Sequence, residues 1–129
     1  MFEVAKLETS VLYLNKDQTH FGRSILAFNN HKTELFELTR LELNHFAEDL
    51  SKAAKALQNA FDSQKINYAV YGDVVSHLHF HLVPKYENSV DWGDAFVHAP
   101  QEIKKLKNSE YEYLIEKIQQ HLKTEEVNK

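Results

Sequence analysis

The sequence predicts an α+β domain in which an antiparallel sheet of about five strands is covered on one face by one long central helix and a C-terminal helix. Three observations carry this expectation. No glycine or proline interrupts the chain between Gly22 and Gly72, so a regular element can run through much of that half. Apolar residues recur at three- and four-residue steps from Leu43 to Phe61 and again from Tyr111 to Leu122, which is the helical period. Short stretches rich in β-branched, aromatic and aliphatic residues, bounded by turn formers, stand on both sides of the first periodic run.

In chain order, Phe2 to Leu7 is a strand candidate, followed by "SVLYLN" (10–15) and "RSILAF" (23–28). The long helix starts at Thr39, whose hydroxyl can accept from first-turn amides while Glu42 returns the bond as a capping box. Leu43, Phe46, Ala47, Leu50, Ala53, Ala54, Leu57 and Phe61 form its expected buried stripe, with Glu48, Lys52, Lys55 and Asn59 opposite. "INYAVY" (66–71) and "HLHFHLV" (77–83) are the remaining strands, and Pro84 should end the latter or place it at an edge, because proline cannot donate to a ladder. The second helix follows Ser109, with Glu112 as its returning glutamate and Tyr111, Leu114, Ile115, Ile118 and Leu122 as its buried side. The tail after Lys123 is polar and should fray.

The 129 residues suit one domain, 1–129, and a hydrophobic fraction of 43% with 26% charged residues is that of an ordinary globular protein. A formal net charge of -4 argues against an electrostatic nucleic-acid surface. The absence of cysteine excludes disulfides and thiolate metal sites. The first ten residues lack the pattern of a secretory signal, and no run approaches the roughly 18 apolar residues of a membrane span. No membrane partner is expected, and the cytoplasm is the expected location. The basic run "KKLK" (104–107) reads as a solvated face.

The most informative stretch is "SHLHFHLVPKY" (76–86). On a strand, His77, His79 and His81 point one way, and Leu78, Phe80 and Leu82 point into the core. Successive imidazoles then stand roughly 6.5 to 7 Å apart along the strand. Three readings are open at this point. The rings can be structural or solvated, as a single strand histidine usually is. They can ligate a metal such as zinc, with Asp73 and Glu87 nearby, although a jelly-roll metal barrel wants more glycine-rich turns than three glycines and a long helix provide. Or a neutral imidazole nitrogen attacks phosphorus to give a covalent intermediate, while neighbouring protonated imidazoles neutralise the phosphate oxygens. That chemistry needs no metal.

"HLHFHLV" matches the His-φ-His-φ-His-φ-φ signature, and here the chain resembles the histidine triad (HIT) nucleotide hydrolases and transferases. The likeness runs through "LNKDQTHFGRSILAFNNHKTELFELT" (14–39) and "NYAVYGD" (67–73) and is clearest over 10–92. It is similar in particular to bacterial members described as diadenosine-tetraphosphate-hydrolase-like. The resemblance implies a HIT-like fold, no cofactor, and attack on the α-phosphate of a nucleotide conjugate, either a dinucleoside polyphosphate or a purine nucleoside phosphoramidate. It implies that His79 is the nucleophile, that His81 contacts phosphate oxygen, and that His77 helps hold the middle ring, partly through its backbone carbonyl. Asn15 falls where relatives bind ribose hydroxyls, or is a turn asparagine. His31 aligns with a histidine behind the triad, or is a solvated loop residue. Asn67 aligns with an asparagine that touches phosphate. Trp92 covers the base or a partner subunit, or belongs to the core. His20, His45 and His98 receive no assignment. A homodimer with joined sheets is implied as well.

The chain departs from its relatives at four places. Asp73 stands for an amide, Val74 for a hydroxyl, Ser76 for a proline and Phe80 for a tryptophan. An ionised Asp73 beside a phosphate is repulsive unless it points away or is paired. These changes bear on substrate affinity and identity, and they motivate two alternative functions: a nucleotide-binding module with weak catalysis, and a metal-binding protein that uses the histidine strand.

Overall fold

The computed structural model describes residues 1–89 and 91–127. Strands β1 (Phe2–Lys6), β2 (Ser10–Leu14), β3 (Ser24–Phe28), β4 (Lys65–Ala69) and β5 (His79–Lys85) form one antiparallel sheet of order β1-β2-β3-β5-β4. Helix α1 (Arg40–Phe61) connects β3 to β4, and α2 (Asn108–Val127) follows the sheet. The elements are those the sequence predicts, with shifted ends. Val70 and Tyr71 fall outside β4, and β5 starts two residues late and runs through Pro84 to Lys85.

Pro84 is tolerated because β5 has a neighbour there on one side only. It pairs with Ile66 of β4, while the pairing with β3 stops at Ser24↔Leu82. Gly22 stands beyond that last pair with φ +87°, and a Cβ on it would come within 2.8 Å of Phe61 and 2.9 Å of Pro84. Both the backbone conformation and the close approach require glycine at this position.

The predicted capping box of α1 is present: the Glu42 amide donates to Thr39 Oγ1 at 3.1 Å, and the Thr39 amide donates to the Glu42 carboxylate at 2.8 Å. The buried stripe is different from the predicted one. Leu43 and Ala47 are exposed, and the stripe runs from Phe46 through Asp49, Ala53, Ala54, Ala56, Leu57 and Ala60 to Phe61. In the first turn Leu41 and Leu43 stay 66 and 38% exposed. Asp49 is buried because its Oδ2 accepts from the Thr9 amide, Thr9 Oγ1 and Ser10 Oγ, which ties the β1–β2 turn to the helix.

The start of α2 is also corrected. The helix begins at Asn108, with the Lys107 amide donating to Glu110 at 3.0 Å, so Glu110 rather than Glu112 returns the capping bond. It continues past Lys123 to Val127, and residues 128–129 lie outside those described.

Leu12, Leu14, Leu26, Phe28, Leu78 and Leu82 face both helices in one core, with Phe80 packed against it. Strand alternation therefore turns His79 and His81 to the opposite face of the sheet. The solvated reading of 104–107 holds for Lys104, Lys105 and Lys107, which are exposed; Leu106 packs against the core.

Candidate functional site

The site lies on the helix-free face, where β5 runs between β3 and β4. His79 is half-buried and His81 is 5% exposed, with ring centroids 5.2 Å apart. His77 departs from the predicted strand: it occupies a bend just before β5, and its Nε2 lies 2.6 Å from the Phe28 carbonyl oxygen. The chain is drawn inward there because Leu78 exchanges backbone bonds with Lys32 and Phe28.

These contacts settle where the protons stand. A carbonyl oxygen only accepts, so His77 donates from Nε2, and His79 donates from Nδ1 to the His77 carbonyl at 2.6 Å. In a neutral His79 ring the lone pair is then on Nε2. Arg23 only donates, so His81 Nδ1 accepts from its Nη2 at 3.2 Å and the His81 proton stands on Nε2. That Nε2 is buried and finds no hydrogen-bond partner among the described residues.

The expectation of protonated neighbours fails for His81. Burial, the Arg23 charge, His79 and His98 together lower its pKa from 6.5 to about 4, so the ring is neutral at pH 7 and can offer only an N–H dipole. Between about pH 6.5 and 4 the unfolded chain binds a proton at this residue that the folded chain refuses. Stability should therefore fall as pH is lowered through that window, by up to about 1.4 kcal/mol per pH unit for this group. Urea denaturation of wild type and His81→Gln at pH 7, 6 and 5 checks this. The variant should have the shallower pH dependence, and identical slopes would refute the assignment.

The other predicted residues separate into two sets. His31 is exposed but stands behind the triad, its ring 5.5 Å from that of His77. Asn67 shares the histidine face, since its strand pairs Asn67↔Val83 and Ala69↔His81, and its Oδ1 accepts from Lys85 Nζ at 3.2 Å. Asn15 follows its turn reading, with its side-chain amide donating to the Asp17 carbonyl at 3.1 Å. Trp92 is 41% exposed in the turn after β5, which overturns its core reading. Asp73 and Val74 lie in the exposed loop between β4 and β5.

Sequence reasoning missed three residues. Arg23 is 4% exposed and donates to His81, to His98 Nδ1 at 3.2 Å and to the His98 carbonyl at 2.9 Å. His98, left unassigned, has its ring 4.8 Å from His81, and Tyr71 lies 4.4 Å from His98. The one usable signal was Arg23 itself, a cation placed directly ahead of the strand Ser24–Phe28. His98 arrives on a segment that crosses this face. Lys85 Nζ donates to the Asp91 and Asp94 carbonyls at 2.9 and 2.7 Å, His20 Nε2 bonds the Val97 carbonyl at 2.8 Å, and Phe96 is buried beneath Arg23. His20 is thus a latch for the segment. His45 lies elsewhere, in a groove with Glu8, Glu48 and Asp49 beside the β1–β2 turn. Among the described residues no group of three or more His, Cys, Asp or Glu side chains could hold a metal ion.

A family model described as HIT domain matches residues 4–88. The chain belongs to the HIT family. This HIT protein is 29% identical over 84 residues to an uncharacterized HIT-like protein of Methanocaldococcus jannaschii, a match covering 62% of this chain and 65% of that one. A histidine triad protein of Sinorhizobium meliloti superposes with a TM-score of 0.85 at 22% identity, over 93% of this chain and 88% of the other. A hypothetical histidine triad nucleotide-binding protein of Sulfolobus tokodaii gives 0.76 at 19% identity, over 95% and 84%. The HIT fold is shown by these likenesses, and HIT membership goes with nucleotide binding and with hydrolase or transferase chemistry. No helix among the described residues is long and apolar enough to cross a membrane.

Proposed function

We propose that this HIT protein is a nucleotide hydrolase or nucleotidyl transferase that attacks the α-phosphate of a dinucleoside polyphosphate or purine nucleoside phosphoramidate through a covalent nucleotidyl-histidine. The observation that carries the reading is the 2.6 Å bond from His79 Nδ1 to the His77 carbonyl. It orients the ring, leaves the Nε2 lone pair for phosphorus, and steadies the positive charge the ring acquires when Nε2 is phosphorylated. His81 contributes an N–H to the phosphate oxygens. His31 steadies His77 from behind, Asn67 reaches phosphate once released from Lys85, and Asn15 and Trp92 serve ribose and base after local rearrangement. No metal or cofactor takes part.

The test is to catch the intermediate. Incubation with diadenosine tetraphosphate or adenosine 5′-phosphoramidate, quenched in alkali to preserve the acid-labile N–P bond, should add one adenylyl group to the peptide carrying His79. Turnover of substrate without such an adduct under rapid quenching would sink the covalent route. A second reading is favoured by the exposed Asp73 and Val74, which replace groups that would engage phosphate: a nucleotide-binding module with weak turnover. It predicts thermal stabilisation by AMP with neither adduct nor product.

A homodimer fits the outer edge of the sheet. β4 is an edge strand, and Tyr68, Val70, Val74 and Val75 on and after it are 46 to 96% exposed. Light scattering should give twice the chain mass, and a monomer at micromolar concentration would dismiss the dimer. A cytoplasmic location suits an enzyme of free nucleotides.

A further inference from the structure

Arg23 is almost wholly buried, and among the described residues no carboxylate forms an ion pair with it. Its Nη2 donates to the Nδ1 atoms of both His81 and His98, and its Nε has no partner among the described residues. A guanidinium has no acceptor, so one side chain dictates two tautomers: in each neutral ring the proton must stand on Nε2. His81 Nε2 is then a buried donor without an acceptor. Asp17 acts on the guanidinium only from beyond contact distance, and two orphaned donors, one on this buried cation and one beside it, are satisfied together by one kind of ligand, an anion rich in oxygen.

Building on the nucleotidyl-histidine reading, we propose that Arg23 and His98 belong to the site: Arg23 is a positioning residue that fixes the tautomers of His81 and His98, and the two Nε2–H donors bind the phosphate group that departs from the α-phosphorus. Tyr71 packs against both rings, at 4.4 and 5.7 Å, and limits their rotation. Both imidazoles are held neutral, His81 and His98 alike having lowered pKa values through burial first and the Arg23 charge second.

The arrangement distinguishes leaving groups. The lone pair of His79 Nε2 forms the N–P bond, the bond from phosphorus to the bridging oxygen breaks, and its electron pair leaves on phosphate, which is a stable anion without taking up a proton. From a phosphoramidate the pair goes to nitrogen, which must collect a proton and departs as an amine that becomes cationic at neutral pH. The buried guanidinium attracts the first and repels the second. Water then attacks the phosphorus, releases a proton to solvent, and returns the electron pair to Nε2.

The experiment compares kcat/KM on diadenosine tetraphosphate and adenosine 5′-phosphoramidate for wild type, His98→Asn, Arg23→Lys and Arg23→Met. In His98→Asn and Arg23→Met the ratio of anhydride to phosphoramidate cleavage should fall by about tenfold or more, with Arg23→Lys recovering part of it. Equal losses on the two substrates overturn the leaving-group role. Long-range proton–nitrogen spectra of the wild type at pH 7 should show His81 and His98 protonated on Nε2, both shifting with inorganic pyrophosphate, and an Nδ1–H form of His81 overturns the role of Arg23. His98→Asn alters an exposed residue, so it serves if Arg23→Met does not fold. Should wild type cleave neither substrate, the enzymatic reading fails, and the spectra alone decide: joint pyrophosphate shifts support the anion site and their absence refutes it.

Discussion

His79→Ala is expected to reduce kcat/KM by about 10⁴-fold or more, because it removes the atom that bonds to phosphorus and not merely a contact that improves a bound state. Removal of a side chain that only orients or neutralises is expected to cost roughly 10²- to 10³-fold, so the two roles separate by magnitude. His79 is half-buried on the helix-free face and contributes nothing to the apolar core, so the variant should melt close to wild type. Its AMP affinity should also survive, since His81 and its neighbours are untouched. Residual turnover within tenfold of wild type, in a correctly folded variant, would move the nucleophile elsewhere.

Phe46→Ala should give the largest loss of stability, about 3 to 5 kcal/mol, a sizeable part of the roughly 5 to 15 kcal/mol that holds a domain of this size together. Phe46 is 1% exposed and stands edge-on to Phe28 and Phe80, with centroids 5.3 and 5.6 Å away. The loss has two parts: the apolar surface no longer withdrawn from water, and the void left between helix and sheet. The site should feel it as well. Phe80 lies between His79 and His81 in β5, and its packing on Phe46 is what keeps those rings on the far side. Chemical denaturation gives the stability and steady-state kinetics under native conditions gives the coupling. A loss below about 1 kcal/mol would mean that the helix collapses onto the void and that α1 is not rigid at this point.

The architecture was legible because its signals are local and periodic. The capping box at Thr39 and Glu42, the alternation of Leu78, Phe80 and Leu82, and the gap without glycine or proline each fix one element. Errors arose where the deciding contact comes from far along the chain. Asp49 looks like a surface residue until the hydroxyls of Thr9 and Ser10 meet it, and Leu43 has the spacing of a core residue yet stays exposed. The start of α2 was misplaced because Ser109 is the better capping side chain by type, whereas the helix begins at Asn108 and the Glu110 carboxylate takes the Lys107 amide.

The site was half legible for the same reason. Alternating histidines announce themselves within seven residues, but proton placement depends on the Phe28 carbonyl for His77 and on Arg23 for His81. His98 has no motif around it. Only the folding of its segment across the face gives it a role, and Trp92, the more conspicuous residue of that segment, stays outside. The pH response of the protein follows from this hidden half, since an imidazole on an open strand would titrate near its ordinary value and His81 does not.

The bonds of Arg23 span 58 residues to His81 and 75 to His98. Neither ring can reach the guanidinium until the chain has been made through residue 98 and β5 has paired beside β3, so these bonds close late in synthesis. A nascent chain on the ribosome carries Arg23 long before its companions emerge, and through that interval the cation must remain hydrated. Because the penalty for closing so long a loop grows only as the logarithm of its length, the delay is kinetic and the finished protein bears little of it.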